Sequence, residues 1–181
     1  MEQIQFLALG GAREIGANSY FYKIGGFGLL VDAGLHPEKI GWEAFPKAEL
    51  LDPDSVNSFI ITHAHTDHLG GVPFLLQSQT NARVIATPET MEIARIMLAN
   101  SCSLLPRQHA QDVIEKLHYY TLEKVDEIIR NIEPRKINAS FALNSPTTAE
   151  KSIQCTFYKS GHILGAVGML IEHNGDRKSV V

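Results

Sequence analysis

The stretch Thr62-His63-Ala64-His65-Thr66-Asp67-His68 constrains this chain more than any other. It follows the apolar run Val56-Asn57-Ser58-Phe59-Ile60-Ile61, so the spacing predicts a strand over 56–62 that gives way to a loop at the histidines. Side chains alternate across a strand, and His63 and His65 therefore point the same way. Asp67 and His68 follow as the chain turns toward Leu69-Gly70-Gly71. Crowded imidazoles repel one another once protonated and have little packing value. Four metal-capable side chains here, in a chain with 8 histidines, thus point to metal binding, and the spacing suits two adjacent ions better than one. Imidazole and carboxylate donors favour zinc, or a related metal such as manganese.

A second candidate lies far downstream, in Gly161-His162-Ile163-Leu164-Gly165. The flanking glycines allow a tight loop to approach a metal closely. His36, His109, His118 and His173 stand alone and read as satisfied or solvated polar residues.

Strands at 3–9, 18–24, 27–32, 83–86, 153–160 and 167–173 follow from alternation and β-branched content, with a further strand beginning at 178–181. Gly25-Gly26 reads as the two-residue turn of a hairpin. The loop 36–54 carries Trp42 and Phe45 as packing anchors. A helix over 68–79, interrupted early by Gly70-Gly71 and Pro73, would place its N-terminal dipole at the histidines. Another starts at Thr87-Pro88-Glu89, with Ile93, Ile96, Met97 and Leu104 at helical spacing as its core face. Helices at 110–118 and 121–132 follow, the second capped by Thr121, and 134–151 reads as a loop or ragged strand. The whole is a mixed α/β (α+β) fold in a single domain.

A charged fraction of 20% and a hydrophobic fraction of 44% are ordinary for a globular chain. The start Met1-Glu2-Gln3-Ile4-Gln5 lacks the basic and apolar pattern of a signal peptide, and no apolar run reaches membrane-span length. Cys102 and Cys155, without CxxC spacing, read as reduced residues of a cytoplasmic protein. A net charge of −4 argues mildly against a strong nucleic-acid binder. Between Arg107 and Lys136 acidic and basic residues balance, so no basic stripe forms there.

His63-Ala64-His65-Thr66-Asp67-His68 matches the HxHxDH signature of the metallo-β-lactamase superfamily, which it closely resembles. Leu9-Gly10-Gly11-Ala12-Arg13-Glu14-Ile15-Gly16-Ala17-Asn18-Ser19 and Leu30-Val31-Asp32-Ala33-Gly34-Leu35-His36-Pro37 resemble the opening of its β-CASP branch, which contains ribonuclease J and the cleavage and polyadenylation endonuclease. Ser160-Gly161-His162-Ile163-Leu164-Gly165-Ala166 resembles the third motif.

The resemblance implies an αββα sandwich and a dinuclear zinc site. His63, His65 and His162 would hold the first metal, and Asp67 and His68 the second, with Asp67 also orienting the attacking water. Asp32 is either a brace behind the metal loops or a turn aspartate before Gly34. The resemblance also implies a bridging aspartate on the next strand, which lies beyond Val181. On that reading residues 1–181 are the N-terminal part of the domain and nearly inactive alone. They would supply roughly one sheet, with an uncovered apolar face that a second copy or a complementary chain would cover.

The activity implied is metal-dependent hydrolysis through zinc-activated hydroxide, with RNA as the substrate and single-stranded DNA as the alternative. A thioesterase or lactonase of the same superfamily, and a non-catalytic scaffold, are the competing functions.

Overall fold

The computed structural model describes residues 4–108, 120–143, 152–173 and 176–180. Alternation and glycine placement decide its first half. Strand β1 (Ile4–Gly10) pairs antiparallel with β2 (Ser19–Ile24), which turns through Gly25-Gly26 into β3 (Phe27–Val31). Gly25 adopts a φ of 59°, the left-handed backbone that a two-residue hairpin requires.

β3 is buried along its whole length, the mark of a strand covered on both faces. It pairs in parallel with β4 (Ser58–Ile60), β4 with β5 (Arg83–Ala86), and β5 with β6 (Glu133–Pro134). The sheet order is β1-β2-β3-β4-β5-β6. The expected strand at 56–62 is thus present, with a ladder of only Ser58–Ile60. Its C-terminal end delivers the histidines.

The expected helix over 68–79 is instead two single turns, α1 (Thr66–Leu69) and α2 (Val72–Leu75). Gly70-Gly71 lies between them and Pro73 occupies the first turn of α2. Neither piece is long enough to carry the helix dipole expected at the site. Tyr120 spans the break by donating its hydroxyl to the Gly70 carbonyl at 2.9 Å.

Helix α3 (Pro88–Gln108) begins where Thr87-Pro88 predicts, but its buried face differs from the expected one. Thr90, Ala94 and Leu98 are buried, with Ile93 and Met97 partly so, whereas Ile96 and Leu104 are 61% and 47% exposed. Small residues at i and i+4 let α3 approach closely, which rotates Ile96 and Leu104 outward. Helix α4 (Leu122–Asn131) is capped as expected, the Thr121 hydroxyl accepting from the Lys124 N–H at 3.2 Å. The helix expected at 110–118 lies outside the described residues. No described helix is long and apolar enough to cross a membrane.

A second, antiparallel sheet of order β10-β9-β8-β7 is built from β7 (Ser140–Ala142), β8 (Gln154–Lys159), β9 (Val167–His173) and β10 (Asp176–Val180). It overturns the expectation of one sheet with an open apolar face. Leu29, Val31, Ile60 and Ile85 of the first sheet share a core with Cys155, Phe157, Met169 and Ile171 of the second. Burying each large apolar side chain there contributes about 2 kcal/mol. The other face of the six-stranded sheet, including Leu30, Phe59, Ile61 and Val84, shares a core with residues from all four described helices.

What remains open on the inner face is smaller. Register places Phe6 and Tyr22 on the side of Leu29. Phe6 is 58% exposed, with its ring 5.2 Å from Tyr22 and 6.1 Å from Tyr20. Trp42 and Phe45 anchor the 36–54 loop as expected, both rings meeting Phe74 at 5.7 and 5.1 Å.

Candidate metal centre

Asp32 leaves the end of β3 with a φ of 59°, a conformation that aspartate tolerates better than most residues. Its carboxylate is buried. Oδ1 accepts the Thr62 backbone N–H at 2.8 Å, and Oδ2 accepts the Thr62 hydroxyl at 2.7 Å. Nδ1 of His68 also lies 2.7 Å from Oδ2. The Asp32 backbone takes the left-handed turn before Gly34, and its carboxylate ties Thr62 to His68.

These bonds orient His63. The Thr62 hydroxyl spends its hydrogen on Asp32, so it can only accept from His63 Nδ1, 3.0 Å away. The proton on Nδ1 leaves Nε2 as a bare lone pair. That atom is buried and has no hydrogen-bond partner. Burial, together with the neighbouring His68, His65 and His162, pushes the His63 pKa down to about 4. The imidazole is thus neutral at pH 7, as metal ligation requires.

His65 and His162 converge on the same point. One ligand atom from each of His63, His65 and His162 lies within 4.8 Å of the others. His162 Nε2 is 3.1 Å from His65 Nδ1. A buried, unpartnered nitrogen facing two more imidazoles is a donor set that fits a zinc-like ion. Among the described residues this trio is the grouping suited to a metal.

Asp67 and His68 lie beside the trio. The His68 ring is 4.0 Å from the His63 ring, centroid to centroid, and His68 Nε2 is 3.6 Å from Asp67 Oδ2. Burial opposes a charge on His68, but the hydrogen bond and charge of Asp32, with Asp67, outweigh it and raise its pKa.

Asn18 joins this pair, a role the sequence did not disclose. Its Nδ2 lies 3.1 Å from the Asp67 carbonyl, 3.3 Å from Asp67 Oδ2 and 3.0 Å from His68 Nε2. Tyr20 fixes the amide by donating its hydroxyl to Asn18 Oδ1 at 3.0 Å.

The surrounding backbone is equally tied. Ala33, Gly34 and Leu35 donate in turn to the carbonyls of His68, Asn18 and Thr66. A Cβ on Gly34 would sit 1.6 Å from the Asp67 carbonyl oxygen, so only glycine fits there. The site opens beside Asp67 into a cleft of about 690 Å³ lined by Leu35, His36, Pro37, Lys39 and Leu104 among others. Lys39 is paired with Glu14, whose carboxyl it holds below the usual range. Ile15, Ile40 and Leu164 are 87%, 73% and 70% exposed. His36 accepts the Glu38 and Lys39 N–H groups at Nδ1 and stays apart from the trio.

Residues 12–130 match the model of the Metallo-beta-lactamase superfamily. An endoribonuclease ysh1 from Emericella nidulans is 30% identical over 176 residues, which are 96% of this chain and 19% of that protein. The cleavage and polyadenylation specificity factor subunit 3-I of Arabidopsis thaliana is 26% identical over 177 residues, 97% of this chain and 24% of that protein. The chain thus spans roughly a fifth of the length of these curated relatives.

Among solved structures, the dizinc quorum-quenching lactonase AidC superposes with a TM-score of 0.53 at 16% identity, covering 89% of this chain and 54% of the lactonase. A B3 metallo-beta-lactamase with an active-site glutamic acid gives 0.54 at 16% identity, covering 96% of this chain and 57% of that one. At such identity these likenesses speak to the fold alone. With two facing sheets, histidines at the end of β4 and in the β8–β9 loop, and a family match over most of its length, this chain belongs to the metallo-β-lactamase superfamily.

Proposed function

We propose that this chain carries the metal-ligating part of an RNA-cleaving phosphodiesterase of the β-CASP type. The observation that carries the metal reading is the buried, unpartnered Nε2 of His63, faced by His65 and His162. RNA as substrate is supported by the endoribonuclease names of the relatives, which align with nearly the whole chain.

In this reading His63, His65 and His162 hold one ion, and Asp67 with His68 hold a second. Zinc is the metal favoured by these donors, with manganese as the alternative. Bound there, the ions supply Lewis acidity toward a phosphoryl oxygen and the attacking water.

The chain's own groups do the rest. Asp32 holds His68 by Nδ1, which leaves Nε2 directed toward Asp67 and Asn18. Thr62 presents the His63 lone pair. Asn18 holds the Asp67 carboxylate, which orients the attacking water. The free thiols of Cys102 and Cys155 suit a reducing compartment, and we place the protein in the cytoplasm on that ground.

The test uses the longest product the gene encodes, because the chain is a small share of its relatives' length. It is incubated in parallel with a labelled oligoribonucleotide, a single-stranded oligodeoxynucleotide, a thioester and an acyl-homoserine lactone. Metal-dependent cleavage of the RNA, abolished by His65→Ala, is the expected result. Turnover of the thioester or lactone with RNA left intact would overturn the assignment.

A further inference from the structure

The loop bearing His162 is fastened to the opposite sheet by two buried hydroxyls. Thr87 and Thr90, 1% and 0% exposed, sit where β5 passes into α3. The Thr87 hydroxyl is 2.8 Å from the Gly165 carbonyl and the Thr90 hydroxyl is 3.0 Å from it. A carbonyl oxygen has two lone pairs and can accept both. The contact joins residues 78 and 75 positions apart.

Helix capping does not account for it. The cap at α3 uses only a lone pair of Thr87, which accepts the Thr90 N–H at 3.2 Å. The two hydroxyls also lie 2.9 Å from each other, so their two hydrogens are shared among three contacts and at least one of them is donated to Gly165. The approach is close enough that a Cβ at Gly165 would lie 2.6 Å from the Thr90 nitrogen, and the glycine adopts a φ of 81°.

The loop itself is a closed unit. Ser160 N–H donates to the Ala166 carbonyl and Ala166 N–H to that of Ile163, both at 3.1 Å. Holding Gly165 therefore holds His162, the most exposed member of the histidine trio.

We infer that Thr87 and Thr90 are positioning residues for His162: their two hydroxyls clamp the Gly165 carbonyl and set the height of the third imidazole over His63 and His65. This rests on His162 being a metal ligand. Groups that orient a ligand from behind typically contribute about 10–100-fold to metal affinity.

The test is zinc affinity of the purified chain, by competition with a chromophoric chelator, together with the visible spectrum of the cobalt-loaded form. Thr87→Val/Thr90→Val keeps shape and removes both donors. It should bind zinc about 10–100-fold more weakly and alter the cobalt spectrum. Thr90→Val alone leaves the Thr87 cap in place and should give a smaller loss in the same direction, which covers the case of a double variant that does not fold. Thr87→Ser/Thr90→Ser restores both hydroxyls and should restore the affinity.

Wild-type zinc affinity and spectrum in a folded Thr90→Val or double valine variant overturn the clamp. A parent chain whose zinc affinity is untouched by His162→Ala overturns instead the ligand reading, and the clamp with it.

Discussion

Nδ1 of His68 lies 2.7 Å from Oδ2 of Asp32, a side chain only 3% exposed. The contact raises the His68 pKa above its ordinary 6.5 despite the opposing effect of burial. A raised folded-state pKa contributes stability that is complete below the unfolded value and lost as pH climbs through the folded one. Asp32→Asn removes the charge while keeping the shape. It should cost about 3 kcal/mol of unfolding free energy in urea. The His68 titration, followed by NMR, should move to lower pH in the same variant. An unchanged titration would show that Asp32 does not govern His68.

His63 acts with the opposite sign. Its folded pKa of about 4 lies below the ordinary 6.5. The unfolded chain therefore takes up this proton first as pH falls, and the metal-free fold loses up to about 3 kcal/mol between pH 6.5 and 4. Urea midpoints measured across that range should fall less steeply in His63→Gln than in the parent. Superimposable slopes would contradict a neutral buried imidazole.

Zinc should raise the melting temperature of the chain. The stabilisation is about 2.7 kcal/mol at a hundredfold excess over the dissociation constant. A chelator should reverse it, and His65→Ala should abolish it. Elemental mass spectrometry of protein purified without chelators then separates the two ligand groups. Two zinc ions per chain support the second site at Asp67 and His68, whereas one confines binding to the trio.

Gly34 leaves no room for a side chain. With its Cβ 1.6 Å from the Asp67 carbonyl oxygen, Gly34→Ala must push the Asp32–Leu35 segment away from α1. The loss should exceed about 3 kcal/mol, the upper range for overpacking. A variant melting within a degree or two of the parent would mean that the segment yields freely.

Asn18→Ala removes the amide that ties Asp67 to the β1–β2 loop. Leaving these part-buried acceptors unsatisfied should cost about 1–2 kcal/mol. Asn18→Asp should be worse, because it sets a second carboxylate near Asp67 Oδ2, 3.3 Å from the present Nδ2. Equal melting temperatures for the two variants would argue against this ordering.

The strands, the hairpin and the histidine trio were legible because local pattern decides them. Alternation writes a strand, Gly25-Gly26 writes the turn, and glycines around His162 write a tight loop. The single helix expected at 68–79 failed because Gly70-Gly71 and Pro73 outweigh its apolar periodicity. Ile96 and Leu104 misled for a different reason. The small residues Thr90 and Ala94, inconspicuous in sequence, decide which face of α3 meets the core. Asn18 was invisible because its role depends on contacts 49 and 50 residues away. The second sheet was underestimated because the strand signals at 153–160, 167–173 and 178–181 do not say which strands pair, and the short edge strand β7 has little apolar signature.

The histidines leave different sheets: His63 and His65 follow β4, and His162 lies between β8 and β9. Their separation is therefore a caliper laid across the sandwich. A core substitution such as Phe157→Ala, touching none of them, changes how far the jaws stand apart. Drift in the hydrophobic filling would register at the imidazoles as well as in the melting curve.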